Sequence, residues 1–482
     1  MLQQKKQFYN IEEFLNTSFQ SHQVIHIAEC QSKLGSIGAI GLGFVLQKCT
    51  NLSNLKLSLC YNQIGAIGAS GLCSELVNCN KLTNFILDLS VNQIGNEGTS
   101  GLGSALAKCT NLSNLELYLV QNNIGLEGVQ DLFSDLAKCS NLSNLTIDLR
   151  NNQISDEVAF CLSFSALGKC TNLSCLALVL NQSQISAKGV SCLGLALSKC
   201  TSIQNLTLDL SGNQIGDEGI SYLSSALVNY DKLSNLTLEL SSNKIGAIGA
   251  SQLGSALEKC TNLSNLTLNL FWNKIDGESA SGIGFAIAKC INLSYLELLI
   301  GGNQIGANDT SKLGSALAKC ANLSNLTLSL LQNQIGTLGA SALGFALAKC
   351  TNLSNLNLNI RENQIGDEGA SGLCTGLAKC SKLQNLTLDL NENQIGAIGA
   401  SDLGSTLSKC TNLSNLKLNL SDNLISAVGA SSLGLALAKC INLSYLKLLI
   451  GQSGINHSEQ FKIMINYLKS KQLVVLHINF YY

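Results

Sequence analysis

SKLQNLTLDLNENQIGAIGASDLGSTLSKC, residues 381–410, is the stretch that decides the fold, because nearly the whole chain consists of edited copies of it. Leu386, Leu388 and Leu390 alternate with polar residues, and a period of two is typical of a strand with one buried face. Gly396 marks a bend, after which apolar residues recur at helical spacing. Each copy is therefore predicted to form a strand, a turn and a helix. It buries its apolar face by stacking on the next copy.

Two recurring residues fix the register of the copies. A cysteine closes the unit at Cys49, Cys79, Cys109, Cys139, Cys170, Cys200, Cys260, Cys290, Cys320, Cys350, Cys380, Cys410 and Cys440, and Tyr230 takes the missing place. The spacing is thirty residues except between Cys139 and Cys170, where one extra residue is predicted within residues 155–166. A turn asparagine, such as Asn393, recurs in twelve units and is replaced by Ser183 and Ser453. Because its amide both donates and accepts, a column of these side chains is expected to satisfy the turning backbone of neighbouring copies.

The composition narrows the class of protein. The 482 residues carry 30 Lys and Arg against 31 Asp and Glu, which gives no electrostatic reason to expect nucleic acid or an anionic membrane as partner. The chain has no proline, no linker-like break and no run long enough to span a membrane, and its start has no apolar segment typical of a signal peptide. We expect a cytoplasmic protein, with cytoskeletal or ciliary association as an alternative. Its 20 cysteines are expected to be reduced and mostly buried.

The two ends differ from the repeats. Residues 1–21 are predicted to form an N-terminal capping helix, since Asn10 and Glu13 have the spacing of a capping box. The alternative is a docking helix for a partner. Residues 22–456 are the repeat array, and residues 457–482 are predicted to form a C-terminal capping helix and strand, with Phe461, Ile465 and Leu468 on the helix.

The repeated unit resembles the leucine-rich-repeat family over about residues 22–482. Its helical half, Ile-Gly-x-x-Gly-Ala-x-x-Leu-Gly-x-Ala-Leu, looks most like the ribonuclease-inhibitor-like subfamily. Its strand half, L-x-x-L-x-L-x-L-x-x-N, has two residues more than the usual pattern, and units of this length resemble repeats expanded in ciliate protists. The resemblance implies an α/β horseshoe solenoid with a parallel sheet on the concave face and helices on the convex face. About sixteen strands are expected, and the two extra residues imply longer strands.

Positions that vary between copies are the candidates for recognition. The two residues before the turn asparagine vary most and are expected at the rim of the concave face. Phe271 and Trp272 differ most from their equivalents, because Trp272 is the only tryptophan and aromatic anchors dominate interface energetics. The alternative is that one ring folds back over its neighbours.

One step earlier on the strand lies a stripe rich in carboxylates. Asp209 and Glu239 are expected on adjacent strands, where their repulsion suggests a basic partner surface. The alternative is a solvated face on which the carboxylates cost little. The predicted protein-binding positions on the concave face and rim are Tyr61, Asp88, Tyr118, Asp148, Arg150, Asp209, Glu239, Phe271, Trp272, Leu331 and Arg361.

No motif favours chemistry. The segment from Gly41 to Lys48 loosely resembles a nucleotide-binding glycine loop. A similar residue pattern recurs at residues 343–349 inside the repeated helix, so the segment is interpreted as part of the scaffold. The four histidines lie near the chain ends and no Cys-x-x-Cys occurs, so no catalytic, cofactor or metal residues are predicted. We expect a non-enzymatic scaffold with a protein partner and without nucleic acid, membrane or metal. The alternatives are a GTPase regulator similar to the activators of Ran, which typically carry an acidic tail absent here, and a structural subunit of a ciliary or cytoskeletal assembly.

Overall fold

The computed structural model describes residues 5–8, 10–154, 165–451 and 473–479. The chain divides into two compact units, Met1–Asn243 and Lys244–Tyr482. Each unit is an array in which a short strand alternates with a helix and neighbouring strands pair in parallel.

The first unit contains nine described strands. They are β1 Lys5–Phe8, β2 Val24–Ala28, β3 Asn54–Ser58, β4 Asn84–Asp88, β5 Asn114–Tyr118, β6 Asn144–Asp148, β7 Cys175–Val179, β8 Asn205–Asp209 and β9 Asn235–Glu239. Its described α-helices are Ile11–Leu15, Gly35–Leu46, Gly65–Ser74, Gly95–Leu106, Leu126–Leu136, Ala187–Leu197 and Gly216–Leu227. Short 3₁₀ helices span Phe19–Ser21, Glu75–Asn78 and Leu167–Lys169.

The second unit contains eight described strands. They are β10 Asn265–Asn269, β11 Tyr295–Leu299, β12 Asn325–Ser329, β13 Asn355–Asn359, β14 Asn385–Asp389, β15 Asn415–Asn419, β16 Tyr445–Leu449 and β17 Val475–Asn479. Its described helices are Ala247–Leu257, Gly277–Ile287, Ala307–Leu317, Gly336–Leu347, Gly366–Leu377, Ala397–Leu407 and Ser426–Leu437. The sixteen predicted repeat strands are β2 to β17, and β1 is an additional strand that the repeat pattern does not predict.

The leucine alternation forms the core as predicted. In β14, Leu386 and Leu388 are buried while the residues between them are half-buried. The ladder continues past the strand, since the Leu390 amide donates to the Asn419 carbonyl at 2.9 Å and the Glu392 amide to the Ser421 carbonyl at 3.1 Å. The two residues by which this unit exceeds the usual pattern therefore extend the parallel hydrogen-bond ladder.

The turn asparagines form the predicted column. Asn393 is fully buried, and its Oδ1 accepts from the backbone amides of Asn363 at 2.9 Å and Ile365 at 3.4 Å. Its Nδ2 donates to the carbonyls of Ile360 at 2.9 Å and Asn391 at 3.1 Å. One side chain therefore satisfies four backbone groups in two repeats, which is why the position tolerates little variation.

The closing cysteines form a second buried column. The Cys350 thiol donates to the Leu317 carbonyl of the preceding repeat at 3.6 Å, and the Cys380 thiol to the Leu347 carbonyl at 3.5 Å. Where the column carries a tyrosine, the Tyr230 hydroxyl donates to the equivalent carbonyl, Leu197, at 2.7 Å. The exchange of cysteine for tyrosine thus preserves the hydrogen bond between repeats.

Small residues let adjacent helices approach closely. A Cβ added at Gly376 would meet the backbone carbonyl of Gly344 in the preceding helix. In contrast, a Cβ added at Gly282 would have no neighbour within 4 Å. Glycine is therefore required at position 376 by packing, whereas position 282 has room for a side chain.

The N-terminal segment contains a strand and a 3₁₀ helix in addition to a short α-helix, whereas the sequence predicts one capping helix. β1 pairs in parallel with β2, and the short helix Ile11–Leu15 begins at Asn10, whose side chain accepts from the Glu13 amide at 2.8 Å as the capping pattern predicts. Phe14 is fully buried, with its ring centroid 5.4 Å from that of Phe8. This burial supports the proposal that the segment caps the core.

The cysteines do not all follow the prediction of reduced thiols. Cys30 and Cys60 form a disulfide with Cα atoms 4.8 Å apart, and Cys192 is also disulfide-bonded, so the prediction is wrong for these residues. All thirteen closing cysteines are free and buried. Cys30 and Cys60 each lie two residues beyond the end of their strand, and because the strands are paired in register the repeat of thirty places the two cysteines side by side, which is the geometry a disulfide needs.

Three predicted features fall on parts of the chain that are not described. The inserted residue within 155–166 lies mostly outside the described residues, and Ser453 and the final helix around Phe461, Ile465 and Leu468 lie wholly outside them.

Candidate protein-binding face

Each strand presents alternate side chains on the face of the sheet opposite its buried leucines. In β14 these are Asn385, Thr387 and Asp389, all half-buried. Equivalent residues of successive strands lie side by side in register. They form three columns on this open face, which we call the first, third and fifth columns after their position in the strand.

The first column is an amide ladder. The Asn355 Nδ2 donates to the Asn325 Oδ1 at 2.6 Å, and Asn385 and Asn415 continue the chain of amides. In the first unit Cys175 interrupts the run, and its sulfur accepts from the Asn205 Nδ2 at 3.0 Å. The ladder was not predicted, although its signal is present in the recurring Leu-Ser-Asn-Leu.

The fifth column has a structural role that explains its acidic residues. The Asp88 Oδ1 accepts from the Ser90 amide at 2.9 Å, the Asp209 Oδ1 from the Ser211 amide at 3.0 Å, and the Asp389 Oδ1 from the Asn391 amide at 3.1 Å. Asparagine makes the same bond where it occupies this column, as at Asn359. These bonds close Asx turns at the strand end, where Asp and Asn are favoured for this reason.

Asp148 and Arg150, both predicted as binding positions, are partners of each other. The Asp148 Oδ2 accepts from the Arg150 Nη2 at 2.7 Å and from Nε at 3.0 Å, and Asp148 is only 2% exposed. Asp148 therefore lies in the fifth column of the open face, where Arg150 covers and neutralises it, and its role as a binding position stays a prediction.

Tyr118 lies between Asp88 and Asp148 in register and donates its hydroxyl to the Glu116 Oε2 at 2.9 Å. Burial, the bond to Glu116 and the nearby carboxylates together raise the pKa of the Tyr118 hydroxyl to about 12. These residues of the first unit form a packed polar cluster rather than a row of independent side chains.

The predicted adjacency of Asp209 and Glu239 is confirmed. The two residues are directly paired in register on β8 and β9, and both are half-buried. The Ser211 hydroxyl donates to the Asp209 Oδ1 at 2.6 Å, so that carboxylate is held by its own turn.

Phe271 and Trp272, the aromatic pair on the rim of the second unit, each pack over a glycine. A Cβ added at Gly301 would lie 2.6 Å from the Phe271 ring, and one added at Gly302 would clash with the Trp272 ring. Both rings therefore fold over the next repeat, as the alternative interpretation holds. Trp272 nevertheless remains 54% exposed, whereas Phe271 is half-buried.

The remaining predicted positions lie on the rim in different settings. Tyr61 is 53% exposed, and Leu331 is half-buried beside Gly301. Arg361 forms ion pairs with Glu362 at 2.8 Å and Glu392 at 3.0 Å.

The rim has a backbone constraint that the sequence does not show. The second of the two variable positions has a left-handed backbone, with φ of 58° at Tyr61, 57° at Val91, 55° at Trp272 and 52° at Glu392. This conformation ends the alternation of the strand, which is why neighbouring rim side chains do not simply point to opposite faces.

Across the described part of the chain, no group of three or more metal-ligating side chains comes together. None of the helices searched there has the length and apolar character that crossing a bilayer requires.

Comparison with known proteins gives matches to one family and to 145 chains of solved structures. Five segments match the family described as Leucine Rich repeat, at residues 202–224, 232–254, 262–284, 352–374 and 382–404. No curated protein matches the chain. A leucine-rich-repeat protein of Leptospira interrogans is similar in structure with a TM-score of 0.56 and 17% identity, and the match covers 99% of this chain and 100% of that one. The PEPR1-AtPEP1 crystal structure gives a TM-score of 0.37 at 15% identity over 96% of this chain and 73% of that one.

Proposed function

We propose that this protein, whose fold is the leucine-rich-repeat solenoid, is a non-enzymatic scaffold that binds a protein partner through the open face of its sheet and the rim beside it. The observation that carries the proposal is Trp272, a half-exposed aromatic ring fixed on the rim. The rest of the proposal follows from the fold, because a leucine-rich-repeat sheet offers an extended surface on rigid elements.

Trp272 has the properties of a preorganised anchor. Its ring lies over Gly302, and its backbone amide donates to the Gly301 carbonyl at 3.1 Å, so the ring has support beneath it while 54% of the residue stays exposed. Its left-handed φ favours glycine or asparagine, yet the position holds a large apolar side chain. An exposed tryptophan that is supported on one side by its own protein is the kind of residue that dominates binding energy, because such packing reduces the entropy lost when a partner covers it.

The experiment is capture of partners from native extract by cross-linking and mass spectrometry, followed by quantitative binding of the recovered partner. Trp272→Ser is expected to weaken binding by about thirtyfold, the loss typical of an interface hot spot of about 2 kcal/mol. Gln332→Ser is the matched control, since Gln332 occupies the same rim position two repeats further on and shares the left-handed backbone. Unchanged affinity for Trp272→Ser, with a native circular dichroism spectrum, would contradict the proposal.

We further propose that the repeats are of the ribonuclease-inhibitor-like type and that the protein works in the cytoplasm. The helical repeat motif supports the first proposal, and the thirteen free, buried closing thiols support the second. The Cys30–Cys60 disulfide argues for an oxidising environment instead. The oxidation state of these two residues in intact cells, measured by trapping thiols with acid before alkylation, decides between the compartments.

A further inference from the structure

The last strands of the second unit carry adjacent basic residues in the third column. Lys417 of β15 is paired in register with Lys447 of β16, and Lys447 with His477 of β17. Lys417 and His477 are exposed and Lys447 is half-buried. Parallel strands lie about 4.8 Å apart, so the two lysine side chains leave the sheet side by side.

The surroundings of this lysine pair carry little negative charge in the described part of the chain. Within the described residues, neither Lys417 nor Lys447 is in an ion pair. The fifth column, which carries Asp389 in β14, continues as Asn419, Leu449 and Asn479 in the last three strands. Like charges directly opposite each other on adjacent strands are destabilising. The fifth column is uncharged in β15 to β17, and Asp389 of β14 is the carboxylate that shares a hollow with the two lysines.

Lys417 also lines two hollows on the open face. One has a volume of about 390 Å³ and is lined by Asn385, Leu386, Thr387, Asn415, Lys417 and Tyr445. The other, of about 170 Å³, contains Thr387, Asp389, Lys417, Lys447 and Leu449 in its lining. The hollows share Thr387 and Lys417, so a ligand that fills both contacts Lys417.

We propose that Lys417 and Lys447 bind the aspartate and glutamate carboxylates of an extended acidic segment of a partner protein. The proposal deepens the protein-binding function above and rests on it. Lysine ammonium groups donate charge-assisted hydrogen bonds to carboxylates, and two such groups on neighbouring strands match side chains along an extended peptide. Tyr445 and Leu449 supply an aromatic and an aliphatic contact beside the charges.

The surroundings favour a peptide over nucleic acid. Single-stranded nucleic acid is held by a groove of cations that follows the phosphates, together with aromatic stacking platforms. Here the basic column is short, and Asp389 lies in the same hollow as both lysines. The Asp389 Oδ1 already accepts from the Asn391 amide, and its charge disfavours a ligand that carries a negative charge on every unit of its backbone, as nucleic acid does. A peptide has a neutral backbone and carries its charge only on side chains. Its carboxylates can therefore lie at the lysines while uncharged residues lie beside Asp389.

The test uses the full chain and a fluorescein-labelled eight-residue peptide of alternating glutamate and serine, measured by fluorescence anisotropy at low and physiological salt. The peptide is expected to bind, and its glutamine–serine counterpart is expected not to. Lys417→Gln and Lys447→Gln are each expected to weaken binding about tenfold, the loss of one charge-assisted hydrogen bond. Lys56→Gln is the matched control, because Lys56 holds the same third-column position in β3 and is exposed. Its affinity is expected to be unchanged.

Several outcomes would overturn the inference. They are no binding of the acidic peptide, equal binding of the glutamine peptide, equal losses for all three lysine variants, or tighter binding of single-stranded oligonucleotide or inorganic phosphate than of the acidic peptide. The result remains separable from the scaffold proposal, since Trp272→Ser leaves this peptide site intact. A partner that is lost with Trp272→Ser but retained by the Lys417 and Lys447 variants would uphold the scaffold function and refute the acidic-peptide site.

Discussion

The turn-asparagine column makes a quantitative prediction for Asn393→Ala. The substitution removes two acceptor contacts, to the amides of Asn363 and Ile365, and two donor contacts, to the carbonyls of Ile360 and Asn391. Asn393 has no solvent exposure, so the orphaned groups have no ready replacement in water. Each hydrogen bond contributes about 1 kcal/mol net, and the four together predict a loss of roughly 4 kcal/mol in the free energy of unfolding.

The measurement combines urea unfolding with amide hydrogen exchange. Repeat arrays often unfold in parts, so a global midpoint alone would not locate the change. Exchange at the amides of Asn363 and Ile365 is expected to accelerate first, because these donors lose their acceptor. Asn412→Ala is the matched control: its side chain makes one exposed bond, from Nδ2 to the Ser381 carbonyl at 2.5 Å, and its loss is expected to cost less than about 1 kcal/mol.

The outcome that refutes this reasoning is specific. If Asn393→Ala and Asn412→Ala lower stability equally, burial does not determine the value of the amide contacts. If Asn393→Ala is destabilising but the amides of Asn363 and Ile365 keep their protection, the loss arises from the cavity left by the side chain and not from the hydrogen bonds.

Two further predictions concern helix packing and buried thiols. Gly376→Ala is expected to destabilise the protein by about 1–3 kcal/mol through overpacking. Gly282→Ala, at an open helical position, is expected to stabilise it by roughly 0.5–1 kcal/mol. Both changes are measured by urea unfolding, and equal effects would contradict the close helix contact at Gly376. Burial, with a smaller contribution from neighbouring thiols, raises the pKa of the Cys109 thiol from about 9 to about 12. The unfolded chain therefore releases the Cys109 proton first, and the stability that this thiol contributes is present below about pH 9 and lost as pH rises toward 12. Cys109→Ala is expected to reduce the fall in unfolding free energy between pH 8 and 10, and an unchanged fall would contradict the burial of the thiol.

The core and the turn contacts of each repeat were predictable because they depend on residue patterns within a few positions of the chain. Alternating leucines specify a half-buried strand, and a recurring amide at the turn specifies a backbone contact in the units that carry it. The disulfide between Cys30 and Cys60 and the pairing of Asp148 with Arg150 were not predicted. The first requires that the strand register extend into the degenerate first repeat. The second depends on a side-chain conformation at the point where the strand ends, which periodicity does not specify.

The same structural facts change where recognition should be sought. Variation at the rim first suggests that its side chains are free of structural duties. However, its second position must accept a left-handed backbone, and the aspartates and asparagines of the fifth column close Asx turns. The first column is engaged in its amide ladder. The third column varies among threonine, glutamate and lysine at Thr387, Glu297 and Lys417 while the strand register stays unchanged. Its charge is therefore not set by the turn or by the ladder. For that reason adjacent like charges in this column, as at Lys417 and Lys447, are stronger evidence for a ligand than the carboxylates of the fifth column, which already accept hydrogen bonds from backbone amides.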